Sequence, residues 1–211
     1  MDDPADGTTI LGTDPAPNDY KQVKLTVKNV SANTITNFLT NIVPKGLENM
    51  TSGGALSISV INAVGQPVPG ATINITNTTL NPNINLTRTS DSTGHWVEVG
   101  LPNSSNSYHI TVTKNGYSSD QTYPSDTGNP NPIKGDSTIS NGQVTQVSFT
   151  IDQTSTLTFK TLDQMCSPIS GIGLGIKGAK LIGTQTVYKF NNSYTSNGSG
   201  EVTLNNAEWD N

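Results

Sequence analysis

The chain has little charge, few aromatic residues and almost no cysteine. Of its 211 residues 13% are charged, 6% are aromatic and one, Cys166, is a cysteine. A single thiol excludes an intramolecular disulfide and leaves the redox compartment open. His95 and His109 are the only histidines, too few beside one cysteine to spell a zinc site of three or four ligands. The eleven basic residues are scattered, and a formal charge of −5 leaves no nucleic-acid footprint. No polybasic run addresses an anionic membrane surface. No segment approaches the roughly 20 apolar residues of a membrane span. The reading therefore expects no nucleic acid and no membrane contact from this segment. Met1-Asp2-Asp3-Pro4 is acidic and polar, unlike a secretory leader. It reads as a start placed on an internal slice of a longer protein.

Ser, Thr and Asn take the place of charge. Thr favours strands, while Asn and Ser supply turns. Apolar residues recur with period two along much of the chain, which a disordered tract would not need. No window places them at i, i+3, i+4 and i+7, so no helix is expected. Asn-x-Ser/Thr sequons at Asn29, Asn49, Asn74, Asn77, Asn85, Asn103, Asn191 and Asn197 arise readily in such a composition and are not read as glycosylation signals.

The most informative feature is an internal repeat. Residues 56–102 run as an alternating strand, the turn Gly65-Gln66-Pro67-Val68-Pro69-Gly70-Ala71, a second strand, then Ser90-Asp91-Ser92-Thr93-Gly94 and an apolar strand ending at Leu101. Residues 157–209 follow the same course through Ser167-Pro168-Ile169-Ser170-Gly171 and Ser196-Asn197-Gly198-Ser199-Gly200. Two copies of a strand–turn–strand unit spell tandem antiparallel β-sandwich modules.

Four stretches are expected: an irregular arm at 1–18, a β-hairpin segment at 19–50, a first sandwich at 55–153 and a second, incomplete one at 155–211. Val23, Leu25 and Val27 make a half-buried face, with a partner strand over 35–43 and a linker at Ser52-Gly53-Gly54. The first sandwich holds a long polar loop between Pro124 and Ser140, of a length that is often functional or mobile. Matching the copies at Gly94 and Gly200 leaves nothing to supply the second with a counterpart of Tyr108-His109-Ile110-Thr111-Val112. Such a module is expected to be disordered or to recruit a strand from a neighbouring chain by edge addition.

Gly65-x-Pro67-Val68-x-Gly70-Ala71, Ser90-Asp91-Ser92-Thr93-Gly94-x-Trp96, Gly100-Leu101-Pro102 and Tyr108-x-Ile110-x-Val112 with Gly116-Tyr117 carry a family resemblance. The chain resembles the carboxypeptidase regulatory-like domain over about 55–151, and partially again over 155–211. The resemblance implies a transthyretin-like β-sandwich related to the B-type repeats of bacterial collagen adhesins. Asp19–Val27 and Val43-Pro44-Lys45-Gly46 look like the closing strands of pilin-like bacterial surface proteins. Together these imply an extracellular, cell-surface location in a bacterium. Adhesin repeats of this kind often carry a Lys–Asn isopeptide crosslink. Here Leu56–Val60 contains no lysine, and Lys160 follows the core candidate Phe159, so alternation turns it outward.

The remaining candidates have plain readings. His95 and His109 read as solvent-facing strand residues, and Cys166 as a half-buried turn residue without a neighbouring base. Asp120, Asp126 and Asp136 with Asn129 and Asn131 lack the tight spacing of a calcium loop. Regular alternation would send Glu98 inward with Trp96; a bulge that turns Val97 and Val99 inward is the favoured alternative. No catalytic set, metal or cofactor is expected. The leading functional reading is a non-enzymatic structural or adhesive segment that spaces or displays binding modules. Its partners would be surface glycans or neighbouring protein subunits reached by β-strand addition. The alternative is a carbohydrate-binding accessory module with Tyr117 and Tyr123, or Trp96 and Trp209, facing the ligand.

Overall fold

The computed structural model describes residues 21–28, 34–42 and 53–208. The expected arm at 1–18, the turn Asn29–Asn33, Pro44–Glu48 and Trp209 lie outside the described residues. The described elements are strands: β1 Lys21–Lys28, β2 Thr34–Ile42, β3 Gly54–Ile61, β4 Thr72–Asn77, β5 Ile84–Thr89, β6 His95–Leu101, β7 Ser104–Thr113, β8 Asp120–Gln121, β9 Ser137–Ile139 and β10 Val144–Thr150. They continue as β11 Ser155–Lys160, β12 Gly173–Lys177, β13 Leu181–Gly183, β14 Val187–Tyr188, β15 Asn191–Thr195 and β16 Glu201–Ala207. The fold is an all-β, antiparallel β-sandwich architecture. No helix among the described residues is long and apolar enough to cross a membrane.

By compactness the chain divides into two units. The first takes the described residues up to Ser57 with Val97–Ser105 and Thr138–Gln146. In it β1 and β2 pair antiparallel from Lys21↔Ile42 to Val27↔Thr36, with a shift at Val27/Lys28. The face expected to be half-buried is in solvent: Val23, Leu25 and Val27 are 42%, 58% and 38% exposed. A hairpin of two strands has no second layer of its own on which to close such a face. The expected linker is also different at its end. Gly53 and Gly54 are buried, and Gly54 opens β3. A Cβ on Gly54 would fall 2.3 Å from the Ser140 carbonyl oxygen, and one on Gly53 would fall 2.7 Å from that of Leu101. These glycines serve close backbone approach, not slack.

The second unit takes Ile58–Trp96, Asn106–Ser137 and the described residues from Val147 on. There β4 is flanked on both edges, with Ile73 opposite Arg88 of β5 and Val112 of β7. Alternation puts Ile73, Ile75, Tyr108, Ile110 and Val112 inward, all fully buried together with Ile58, Val60, Phe149 and Ile151. Each such side chain contributes roughly 1.5–3 kcal/mol of transfer free energy.

Two turns of the first stretch have counterparts with the same hydrogen bonds in the second. Asn62 Oδ1 accepts from Val64 N and Gln66 N, and Asp163 Oδ1 accepts from Met165 N and Ser167 N. Asp91 Oδ1 accepts from Thr93 N and His95 N, as Asn197 Oδ1 does from Ser199 N and Glu201 N. The Thr93 hydroxyl, then the His95 and Thr93 amides, hold the Asp91 carboxyl below its ordinary pKa. Gly94 and Gly200 close their turns at φ +72° and +69°. The Ser90 hydroxyl accepts from Ala71 N and donates to Val68 O; the Ser196 hydroxyl accepts from Ile172 N and donates to Ile169 O.

Strand β6 settles the position of Glu98. Val97 is 46% exposed, whereas Glu98 and Val99 are both half-buried, so Val97 does not turn inward and Glu98 is not left fully wet as the favoured bulge required. The break falls at Gly100, where φ is +71°.

Candidate functional site

The long loop is a structured connector. Asp126 Oδ1 accepts from Gly128 N and Asn129 N, Ser125 Oγ donates to Pro130 O, and the loop ends in β9. Its segment 129–133 runs along β13 of the second repeat as an added strand. Ile133 N donates to Ile182 O at 3.0 Å, Thr184 N to Asn131 O at 3.0 Å, and Asn129 Nδ2 to Ile182 O at 3.1 Å. Pro132 and Gly183 form the bridge between them. Lys189 adds a bond to Ser119 O and an ion pair with Glu208 at 2.5 Å, its side chain 14% exposed. These hydrogen bonds hold the two stretches together.

The loop acids are anchors rather than a cluster. Asp120 is buried, accepting from Lys134 Nζ at 2.6 Å and from Thr150 N at 3.0 Å. Lys134 also lies over the Phe149 ring, 4.5 Å from its centroid. Asp136 Oδ1 meets His109 Nδ1 at 2.9 Å and accepts from the Thr122 hydroxyl at 2.8 Å. Among the described residues no three His, Cys, Asp or Glu side chains come together as metal ligands. His109 is thus half-buried and partnered, where a solvent-facing residue was expected, and its partner comes from the far side of the loop.

The remaining candidates are dispersed. Cys166 is exposed, not half-buried, and takes φ +61° at the position Gly65 holds in the first copy. Tyr117 lies under Lys114 Nζ, 4.6 Å from its centroid. Tyr123 is half-buried, and burial, then the charges of Asp120 and Glu208, push its hydroxyl up to about 12. Arg88 lies 5.8 Å over Trp96. Lys160 is exposed and pairs with Glu201 at 3.1 Å, while Phe159 beside it is half-buried. The Asn77 sequon is spent on the fold: its side chain is buried, donating to Ser107 Oγ and accepting from Thr79.

A feature the sequence did not announce lies in the second repeat. Between the pair β11–β16 and the pair β12–β15 is an open cavity of about 570 Å³, lined by Leu157, Phe159, Ile176, Phe190, Tyr194 and Leu204 among others. Phe190 and Tyr194 stack at 6.5 Å with 20° between their planes. Glu208 stands at its edge with Oε1 on Lys189 and Oε2 buried without a partner.

Comparison with known proteins agrees with the turn motifs. The model of the carboxypeptidase regulatory-like domain matches residues 55–161. No curated protein matches the chain. Among solved structures the chain is similar to the Bacillus anthracis TIE protein, at 12% identity and a TM-score of 0.36, covering 88% of this chain and 34% of that one. It is similar to a streptococcal ancillary pilin at 10% identity and a TM-score of 0.34, covering 87% and 61%. For the shaft pilin SpaA from Lactobacillus rhamnosus GG the values are 12%, 0.33, 74% and 82%. The chain spans about a third of the first of these proteins and less than two thirds of the second.

Proposed function

Because the chain belongs to the carboxypeptidase regulatory-like domain family, we propose that it is a non-enzymatic structural segment of an exported bacterial surface or pilus-like protein, built to space and display its neighbours. In this reading 55–153 and 155–211 are successive modules, and 19–50 is the end of a preceding one. The observation that carries it is the seating of residues 129–133 on β13. A spacer must keep its modules from swivelling, and a loop added as a strand to the next module does this with backbone bonds. The residues spelled out by the repeat build turns and bolts, and turns specify fold rather than chemistry. Surface glycans and neighbouring subunits are the partners such a segment would meet.

Immunolabelling tests the proposal. An antibody raised against residues 53–208 should stain intact cells of the source organism, and brief surface proteolysis should remove the stain. Staining only after lysis would sink the surface reading.

A further inference from the structure

We propose that Asn115 is a site of self-modification: its carboxamide cyclises onto the amide of Gly116, releases ammonia and leaves an aspartyl or isoaspartyl residue in the turn that anchors residues 152–154. The inference goes beyond the spacer reading and stands whether or not the segment sits on a cell surface.

The chemistry needs an asparagine side chain, the next amide nitrogen and water. The Gly116 nitrogen attacks Asn115 Cγ. The N–Cγ bond forms, the Cγ–Nδ2 bond breaks, and ammonia leaves with the amide proton. Water then opens the five-membered imide. Opening at Cγ gives aspartate; opening at the main-chain carbonyl gives isoaspartate, whose backbone is one methylene longer. Asparagine and water thus give the acid and ammonia, with no change of oxidation state. Glycine is the follower that hinders the attack least, because it lacks a Cβ and turns freely. An intramolecular reaction of this kind is governed by how readily its two groups can meet.

Three Asn-Gly pairs occur in the chain, at 115–116, 141–142 and 197–198, and the fold treats each differently. All three asparagines are exposed. Asn115 and Asn141 occupy the same kind of turn. Tyr117 N donates to Lys114 O at 3.0 Å and Gln143 N to Ser140 O at 3.1 Å, with Gly116 and Gly142 at φ +75° and +65°. The attacking nitrogen is what differs. Gly142 N donates to Gly53 O at 2.8 Å, whereas Gly116 N has no partner among the described residues. Asn197 is restrained at the other reactant: its Oδ1 accepts from Ser199 N and Glu201 N, both at 2.9 Å. The Asn115 carboxamide has no such partner among the described residues. Of the three pairs, 115–116 is the one in which nitrogen and carboxamide are both free.

The same turn is where a longer backbone would be felt. Gly116 O accepts from Thr154 N at 3.1 Å, Tyr117 forms a β-bridge with Gln153, and Ser118 N donates to Asp152 O at 2.7 Å. These contacts hold residues 116–118 on the segment that joins β10 to β11. An added methylene at 115 moves the Gly116 carbonyl off Thr154 and loosens that segment.

The test is to age the full-length chain at mildly alkaline pH, folded and in urea. Each Asn-Gly peptide is then mapped by mass spectrometry, with isoaspartyl methyltransferase labelling to count isoaspartate. In the folded chain Asn115 should convert roughly tenfold faster than Asn141, the factor that one amide hydrogen bond supplies. Asn197, held by two such bonds, should be slowest. In urea the three rates should converge. Asn115→Gln, whose longer side chain disfavours the ring, should stay unmodified at 115. Amide hydrogen exchange at Ser118 and Thr154 should rise as the wild type ages and stay constant in this variant. An Asn115 that remains intact, or an Asn141 or Asn197 that keeps pace with it in the folded chain, overturns the proposal. So does a ranking that survives in urea, because it would then belong to the local sequence and not to the fold.

Discussion

Asn129 and Gly183 meet where the long loop crosses onto the second repeat: a Cβ on Gly183 would fall 2.1 Å from Asn129 Oδ1 and 3.1 Å from Val187 Cβ. A side chain at 183 meets the Asn129 amide first, which makes this pair a sensitive point of the junction. Gly183→Ala forces the Asn129 side chain aside, and overpacking of this kind costs about 1–3 kcal/mol. Losing the bond of Asn129 Nδ2 to Ile182 O would follow. Calorimetry should then show the second repeat melting separately, at lower temperature than the first. A single unshifted transition in Gly183→Ala would show that the junction contributes nothing to stability.

The paired hydroxyls of Ser90 and Ser196 give a second prediction. Each is buried, at 4% and 5% exposure, and each satisfies one backbone amide and one carbonyl. Removing such a group strands both, at about 1–3 kcal/mol. Ser90→Ala and Ser196→Ala should therefore destabilise alike, read as equal shifts in urea midpoint for the transition that each repeat dominates. A loss confined to Ser90→Ala would mean that the second bolt is not made in solution.

These serines mark how far the sequence could be read. The strand–turn–strand repeat was legible because Asx turns, left-handed glycines and period-two alternation are local. Strands at 54–61 and 72–77 flank the turn at 65–71 for that reason. Strand β15 was missed because Asn191-Asn192-Ser193-Tyr194-Thr195 carries one apolar residue and no alternation. The seating of 129–133 on β13 was missed because backbone pairing between distant segments leaves no period behind. Glu98 was misplaced because a carboxylate on a core-facing parity looked costlier than a bulge. In the fold it is half-buried, and the irregularity sits at Gly100.

Cys166 offers a gain rather than a loss. It holds φ +61° at the turn position where the first copy has Gly65 at φ +78°. Its amide donates to Asp163 O at 3.1 Å, as that of Gly65 does to Asn62 O at 3.0 Å. A side chain in the left-handed region costs roughly 1–2 kcal/mol, part of which glycine returns in unfolded-state entropy. Cys166→Gly should stabilise the second repeat by up to about 1 kcal/mol in urea unfolding. A destabilised variant would mean that the thiol makes contacts worth more than the strain.

Tyr123 sets the alkaline limit. Its hydroxyl is raised from 10.0 to about 12, chiefly by burial and then by the charges of Asp120 and Glu208. Below pH 10 the tyrosine is neutral in both folded and unfolded chains, so its contribution to stability is fully present. Between 10 and about 12 the unfolded chain releases this proton and the folded chain keeps it. The unfolded state then binds fewer protons, and stability falls as pH rises through that window. The informative quantity is the difference between wild type and Tyr123→Phe. That difference should be flat from neutrality to pH 10 and should then shift steadily in favour of the phenylalanine variant up to about 12. Parallel curves for the two proteins across the whole range would assign the alkaline loss to other groups.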